Sequence, residues 1–205
     1  MKRLNVPPTR NALLALKRQV RFLEQGHDML EKKRELLTRM VHARLREYRA
    51  LRQETEQALA EAYRWLAICQ MRMGSLMLRQ ASLGLAPAVE VAIVPRSSVG
   101  VEYASVTAQR LPLQPVGLMW TDPSFDEARA RMIDLTLQLA RLGEAENVLW
   151  RFVIETRKTR KRVNALKYNI IPAYRGTLRF IRQSLEEEER NTLFQIKVLR
   201  EHQSA

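Results

Sequence analysis

The sequence predicts a mainly α-helical protein: a long antiparallel two-helix coiled coil with a small β-hairpin in a middle segment at one end. Three observations carry this. Proline and glycine, the strongest punctuators of helices, cluster: five of eight prolines and three of seven glycines fall within residues 83–123. The flanking stretches 10–82 and 124–201 contain one proline between them, Pro172. Along both stretches apolar residues recur at the 3.5-residue spacing of a coiled-coil seam. The chain therefore divides into an N-terminal coiled-coil helix over 1–82, a loop-rich middle over 83–123, and a C-terminal coiled-coil helix over 124–205, kinked near Pro172.

The first arm follows a heptad template closely. Stepping by three and four from Leu13 to Leu76 visits nineteen positions, and fourteen are apolar, among them Leu16, Val20, Leu23, Leu30, Leu37, Val41, Trp65 and Cys69. The chain average of 46% hydrophobic residues would supply about nine. His27, Arg34, Arg44, Thr55 and Arg72 interrupt the seam, which sets it apart from an ideal leucine zipper and suits a seam shared with other partners.

In the middle, Val89, Val91 and Ile93 alternate, Pro95-Arg96-Ser97-Ser98 reads as a turn, and Val99, Val101 and Tyr103 alternate again. This is a hairpin pattern. So small a hairpin cannot stand alone and is expected to lean on the helix ends or on another protein chain.

The second arm opens at a capping-box signature, Ser124 with Glu127, directly after Asp122-Pro123. Its seam runs through Met132, Leu135, Leu139, Leu142, Leu149 and Val153 and resumes after Pro172 as Tyr174, Leu178, Ile181, Leu185, Ile196 and Leu199. Proline removes one helix hydrogen bond and disfavours helical dihedrals at Ile171, so a kink is expected there. Each arm, as one helix, would span roughly 110 Å at 1.5 Å per residue. Two such stripes bury each other most simply if the chain turns back on itself. Pairing residue 82 with 124 then sets Glu186-Glu187-Glu188-Glu189 opposite Lys17, Arg18 and Arg21.

Composition narrows the function. With 46% hydrophobic, 28% charged and 6% aromatic residues in 205, the chain is too apolar for a disordered segment. The longest run without a charged side chain, residues 111–121, is eleven long, against about twenty for a membrane-spanning helix. No apolar core of signal-peptide length follows Met1-Lys2-Arg3. Cys69 is the one cysteine, which excludes an internal disulfide and suits a reducing compartment. A soluble cytoplasmic protein is expected.

Catalytic signatures are missing. No glycine precedes a lysine, so there is no phosphate loop, and His27, His42 and His202 are scattered without metal-ligand spacing. No cofactor, metal or catalytic residue is assigned. His27 and Cys69 sit on the seam and read as packed structural side chains. The formal charge of +13 divides as +2 over 1–9, +7 over 10–82, −1 over 83–123 and +5 over 124–205. It therefore lies along the arms. Its densest point is Arg157-Lys158-Thr159-Arg160-Lys161-Arg162, which the pairing above sets across from Arg46, Arg49 and Arg52 as a basic belt. The run reads either as a solvated helix face or as a surface for an acidic partner or nucleic acid; nucleic acid is disfavoured because no aromatic residue and no groove-reading motif accompanies the cluster.

Two segments carry a family resemblance. One is Pro8-Thr9-Arg10 with Leu13-Leu14, Leu16, Gly26 and Leu30-Glu31-Lys32-Lys33-Arg34-Glu35-Leu36-Leu37. The other runs from Thr156-Arg157-Lys158 through Arg162-Val163-Asn164-Ala165-Leu166 to Ile170-Ile171-Pro172, followed by Glu189-Arg190 and Leu193-Phe194 with Lys197. Together they resemble the D subunit of the V-type (archaeal/vacuolar-type) rotary ATPases across about three-quarters of the chain. Lys167 stands where that family commonly has Glu.

The resemblance implies a non-catalytic central-stalk rotor component, similar in role to the gamma shaft of F-type synthases and held at the cytoplasmic face of a membrane by the complex. Its partners would be the A and B subunits of the catalytic hexamer, the small F subunit of the rotor and a membrane-ring socket protein, with neither nucleic acid nor direct membrane insertion. On this basis Arg10, Leu13, Lys17, Arg182, Gln183, Phe194 and Lys197 are expected to meet the hexamer. Val91, Ile93, Val101, Tyr103, Leu118 and Trp120 are expected to meet the F subunit or the socket. The residues alone leave open a different class, a static basic coiled-coil adaptor or nucleic-acid-associated scaffold.

Overall fold

A computed structural model describes residues 4–115 and 121–203. The chain is mainly helical, with long helices toward both ends and a two-stranded antiparallel hairpin between them. In order the elements are α1 (Arg10–Met73), α2 (Ser75–Leu83), β1 (Val89–Ser98), β2 (Val101–Arg110), α3 (Pro123–Ala165), a π-turn (Leu166–Ile170) and α4 (Ile171–Gln203). They divide into two compact units: Met1–Leu36 with Thr156–Ala205, and Leu37–Glu155.

Local chemistry explains the helix ends. Thr9 caps α1: its Oγ1 accepts from the Ala12 N–H at 3.2 Å and its carbonyl from the Leu13 N–H at 3.0 Å. The long first helix does not run unbroken to residue 82. Gly74, at φ 77 and ψ 159, separates α1 from α2, a conformation open to glycine and costly for other residues. The heptad pattern continues through Leu76 and so conceals the break. At α3 the cap is Asp122, two residues before the Ser124 of the expected capping box. Its Oδ2 accepts from the Ser124 N–H at 3.1 Å and also from the Ser124 hydroxyl. Pro123 occupies the first helical position, where its missing N–H costs nothing, and Glu127 turns to Arg131 at 3.1 Å.

Near Pro172 the helix widens into the π-turn. The Ile171 N–H donates to the Leu166 carbonyl, five residues back. Proline clashes with the carbonyl four residues before it, and one wider turn absorbs that clash while the helix continues.

In the first unit α1 and α4 run antiparallel. Arg10 pairs with Glu189 and Arg175 with Glu24, both at 2.5 Å, so partner numbers sum to 199. This corrects the expected 206 by seven. A one-heptad slide returns every seam residue to an equivalent position, so seam periodicity alone could not choose between the registers. Glu189 therefore meets Arg10 in place of Lys17 or Arg18. Leu16, Val20, Val163, Ile171 and Ile181 are buried here. The chain before α1 is tied down by the Leu4 N–H donating to Thr177 Oγ1 at 3.0 Å.

The second unit contains two apolar clusters. Leu37, Val101, Val148 and Phe152 form one, with Met40, Val41 and Tyr103 against it; this is where the hairpin leans on helices. Cys69, Phe125 and Ala128 form the other, with Trp65, Met73, Leu78, Ala81 and Leu85 around them. Arg131 reaches Glu61 at 3.4 Å and Arg72 reaches Asp122 at 3.3 Å.

The hairpin turns at Val99–Gly100, just past the expected turn over Pro95–Ser98. Both residues have positive φ, 53° and 71°, as a two-residue type I′ turn requires. Ser98 pairs with Val101, and Pro95 with Ala104 inside the ladder. Counting from the turn, pairs alternate between hydrogen-bonded and non-hydrogen-bonded, and Pro95 falls on a non-hydrogen-bonded pair. Its absent N–H faces the outer edge of β1, so proline fits the strand and needs no turn.

Candidate partner interface

Among the described residues no group of three or more His, Cys, Asp or Glu side chains is placed to hold a metal, and no helix is long and apolar enough to cross a membrane. Three regions of the described surface have distinct chemistry.

The first lies where α1 begins. Arg10, Leu13 and Arg182 come together with Leu14, Leu185, Glu186 and Glu189 around a notch of about 300 Å³. Of the expected hexamer contacts, the structure thus gathers Arg10, Leu13 and Arg182. Gln183 is exposed beside them on α4, and Lys17 is half-buried on α1. Phe194 and Lys197 lie further along α4 and are exposed. There Leu193, Phe194, Ile196 and Leu199 are all open to solvent, Phe194 at 68%. Exposed apolar side chains gathered on one stretch of helix are a feature of interaction surfaces.

The second region is the hairpin. Cross-strand partners share a face, so Val101, Tyr103 and Ser105 point one way and Val89, Val91, Ile93 and Pro95 the other, with Ala104, Val106 and Ala108. Val101 is buried and Tyr103 packs against Phe152 with ring centroids 6.2 Å apart. Ser105 donates to Glu144 at 2.9 Å. The expected group is therefore split: Val101 and Tyr103 belong to the core, while Val91 and Ile93 lie on an exposed apolar face, Ile93 at 68%. Leu118 and Trp120 lie outside the described residues.

The third region was not legible from the main seam. An apolar groove of about 670 Å³ opens beside α2, with Leu66, Leu78, Leu85, Phe125, Met132 and Ile133 on its walls. Gln70 and Ser75, on either side of the Gly74 break between α1 and α2, are among its lining residues. On α1, Phe22, Met29 and Leu36 are exposed at seven-residue spacing. That spacing is present in the sequence as a second stripe beside the main seam.

In the run Arg157-Lys158-Thr159-Arg160-Lys161-Arg162, Thr159 is buried and the five basic residues are exposed; Arg46, Arg49 and Arg52 belong to the other unit. Burial raises the Cys69 thiol pKa, which the Ser124 hydroxyl opposes and Asp122 reinforces. An inert, protonated packing thiol results. The Asp122 carboxyl is held below its ordinary range by the hydrogen bonds from Ser124, with Arg72 adding to the effect. His27 has its Nδ1 3.3 Å from Asp28 and a mostly buried side chain, as its seam position requires.

The fold and surface define a mainly helical protein that pairs long helices and leaves apolar and basic side chains exposed. Comparison with known proteins gives the family. The family model for the ATP synthase D subunit matches residues 12–201. The chain is 35% identical over 199 residues to the A-type ATP synthase D subunit of Pyrococcus furiosus, covering 95% of this chain and 92% of that one. It is 34% identical over 199 residues to the V-type ATP synthase D subunit of Thermotoga neapolitana, covering 97% and 98%. For the A-type ATP synthase D subunit of Methanosphaera stadtmanae the identity is 32% over 201 residues, covering 96% and 94%. The chain belongs to the ATP synthase D-subunit family.

Proposed function

We propose that this chain is the central-stalk rotor shaft of a V-type rotary ATPase, coupling ATP synthesis or hydrolysis in an A/B catalytic hexamer to proton or sodium translocation in the membrane sector. The observation that carries this is the antiparallel α1–α4 pair of the first unit, with cross-helix ion pairs at Arg10–Glu189 and Arg175–Glu24. Two helices locked side by side resist twisting far better than one, and transmitting torque demands that. The exposed Leu193, Phe194, Ile196 and Leu199 then face the walls of the hexamer cavity. Arg10, Leu13, Lys17, Arg182, Gln183, Phe194 and Lys197 are the contacts assigned to it.

On this account the shaft performs no chemistry. The α1 and α4 surfaces differ around the pair, so a threefold collar of catalytic sites meets unequal faces. Turning the pair changes which site is open, occupied or closed. The π-turn before Pro172 and the polar seam positions His27 and Arg34 contribute to that inequality. In the second unit, the exposed Val91 and Ile93 face of the hairpin meets the F subunit or the membrane-ring socket, which holds the protein at the cytoplasmic face without entering the bilayer.

Reconstitution tests the role. A hexamer assembled with this chain, the F subunit and the membrane sector should couple ATP turnover to ion uptake into vesicles. Omitting this chain should abolish uptake, and adding it back should restore it. Coupled uptake in its absence would refute the assignment.

A further inference from the structure

The exposed stripe on α1 is not used by the contacts assigned above. Phe22 is 73% exposed, Met29 72% and Leu36 51%, spaced by seven residues over about 21 Å of helix. At 100° per residue this stripe lies well away from the buried seam of Leu16, Val20 and Leu37. Seven-residue spacing is the signature of a helix that meets another helix.

Gly26 lies between Phe22 and Met29, and a Cβ built there would meet nothing within 4 Å. Glycine in a helix interior is destabilising relative to alanine, and the packing of the described residues supplies no reason for it. Close approach of a partner backbone does. The rows beside the stripe carry Arg18, Gln25 and Lys32 on one side and Gln19, Gly26 and Lys33 on the other. Neither row contains an acidic residue. A second copy of this chain would set like charges against each other.

We propose that the Phe22–Gly26–Met29–Leu36 strip is a docking face for one amphipathic α-helix of a partner protein. That helix crosses close to Gly26, with apolar side chains between Phe22 and Met29 and acidic residues toward Arg18 and Lys32. The proposal rests on the shaft function above, which makes the catalytic hexamer the partner.

The test uses the full chain and a purified A/B hexamer. Gly26→Ala and Gly26→Leu should each raise the melting midpoint of the free chain by about 2–4 °C, since both residues favour helix. Gly26→Leu should nevertheless weaken assembly with the hexamer at least tenfold, while Gly26→Ala stays within threefold. Phe22→Ser, at an exposed position, provides a second variant that should weaken assembly without changing the free chain's fold. A photoreactive benzoylphenylalanine replacing Met29 should cross-link to a hexamer helix bearing Asp or Glu near the adduct. Wild-type affinity in both Gly26→Leu and Phe22→Ser would overturn the docking face, as would adducts confined to loops or joining two copies of this chain. Failure of the wild-type chain to bind the hexamer would overturn the shaft function first, and this proposal with it.

Discussion

Replacing Phe152 by alanine tests how the hairpin is anchored. Phe152 is 1% exposed and packs with Leu37, Val101 and Val148, with Tyr103 across from it at 6.2 Å and tilted 41°. Truncating a fully buried phenylalanine costs about 3–5 kcal/mol. The ring pair accounts for roughly 0.5–1.5 kcal/mol of that, so Phe152→Leu, which keeps most of the volume, should cost about 1–2 kcal/mol. Each kcal/mol lowers the midpoint by roughly 2–4 °C in a chain of this size, so the alanine variant should melt at least about 6 °C lower. Val91→Ala, on the opposite face of the same hairpin, should stay within about 0.5 kcal/mol of wild type. Thermal melts followed by circular dichroism, with near-ultraviolet signal reporting Tyr103, would measure all three. Equal losses for Phe152→Ala and Val91→Ala, or a loss under about 1 kcal/mol for Phe152→Ala, would refute the face assignment that follows from the strand register.

Three further outcomes follow from the geometry. In a Cys69→Ala background, a short bismaleimide should join Arg10→Cys to Glu189→Cys within one chain and should join Lys17→Cys to Glu189→Cys poorly, because one heptad moves the site about 10 Å; the reverse preference would restore the unshifted register. Asp122 has a lowered folded-state pKa, so its contribution is present above the unfolded carboxylate pKa of about 3.9 and is lost as pH falls through the lower folded value. Asp122→Ala should therefore lower the midpoint at neutral pH, with the gap from wild type closing in strong acid; a gap that widened there would contradict the Ser124 and Arg72 hydrogen bonds. Val99 holds φ 53, strained for a β-branched residue. Val99→Asn should raise the midpoint by about 2–4 °C, and a fall would mean that the turn is not type I′.

Much of the fold was legible because helices declare themselves by period. The seam, the proline-rich middle and the alternation of Val89, Val91 and Ile93 each reflect a local rule. Quantities that depend on comparing distant segments were not legible. A heptad slide leaves every seam residue equivalent, so the register had to be settled by particular pairs such as Arg10–Glu189. Gly74 lies within a continuing apolar pattern, and only its positive φ reveals the break. Pro95 resembles a turn residue in sequence because its tolerance in a strand depends on which ladder position it occupies. For the interface, Arg10, Leu13 and Arg182 lie together at one notch, whereas Val101 and Tyr103 lie in the core. Alternation identifies two hairpin faces without telling which one the helices cover.

The central claim, that this chain turns inside a collar, is tested most directly by tying the two together. Cys69→Ala gives a thiol-free chain into which Gln183→Cys can be introduced, at an exposed site 22 residues before the C-terminus. Near it Ile181 is fully buried and Arg10 on α1 pairs with Glu189 on α4, which leaves little slack for swivelling about single bonds. Oxidative cross-linking to a cysteine on the facing catalytic protein should abolish steady-state ATP hydrolysis in proportion to cross-link yield, and a reducing agent should restore it. Undiminished, still-coupled turnover at near-complete cross-linking would show that this chain is not the moving shaft.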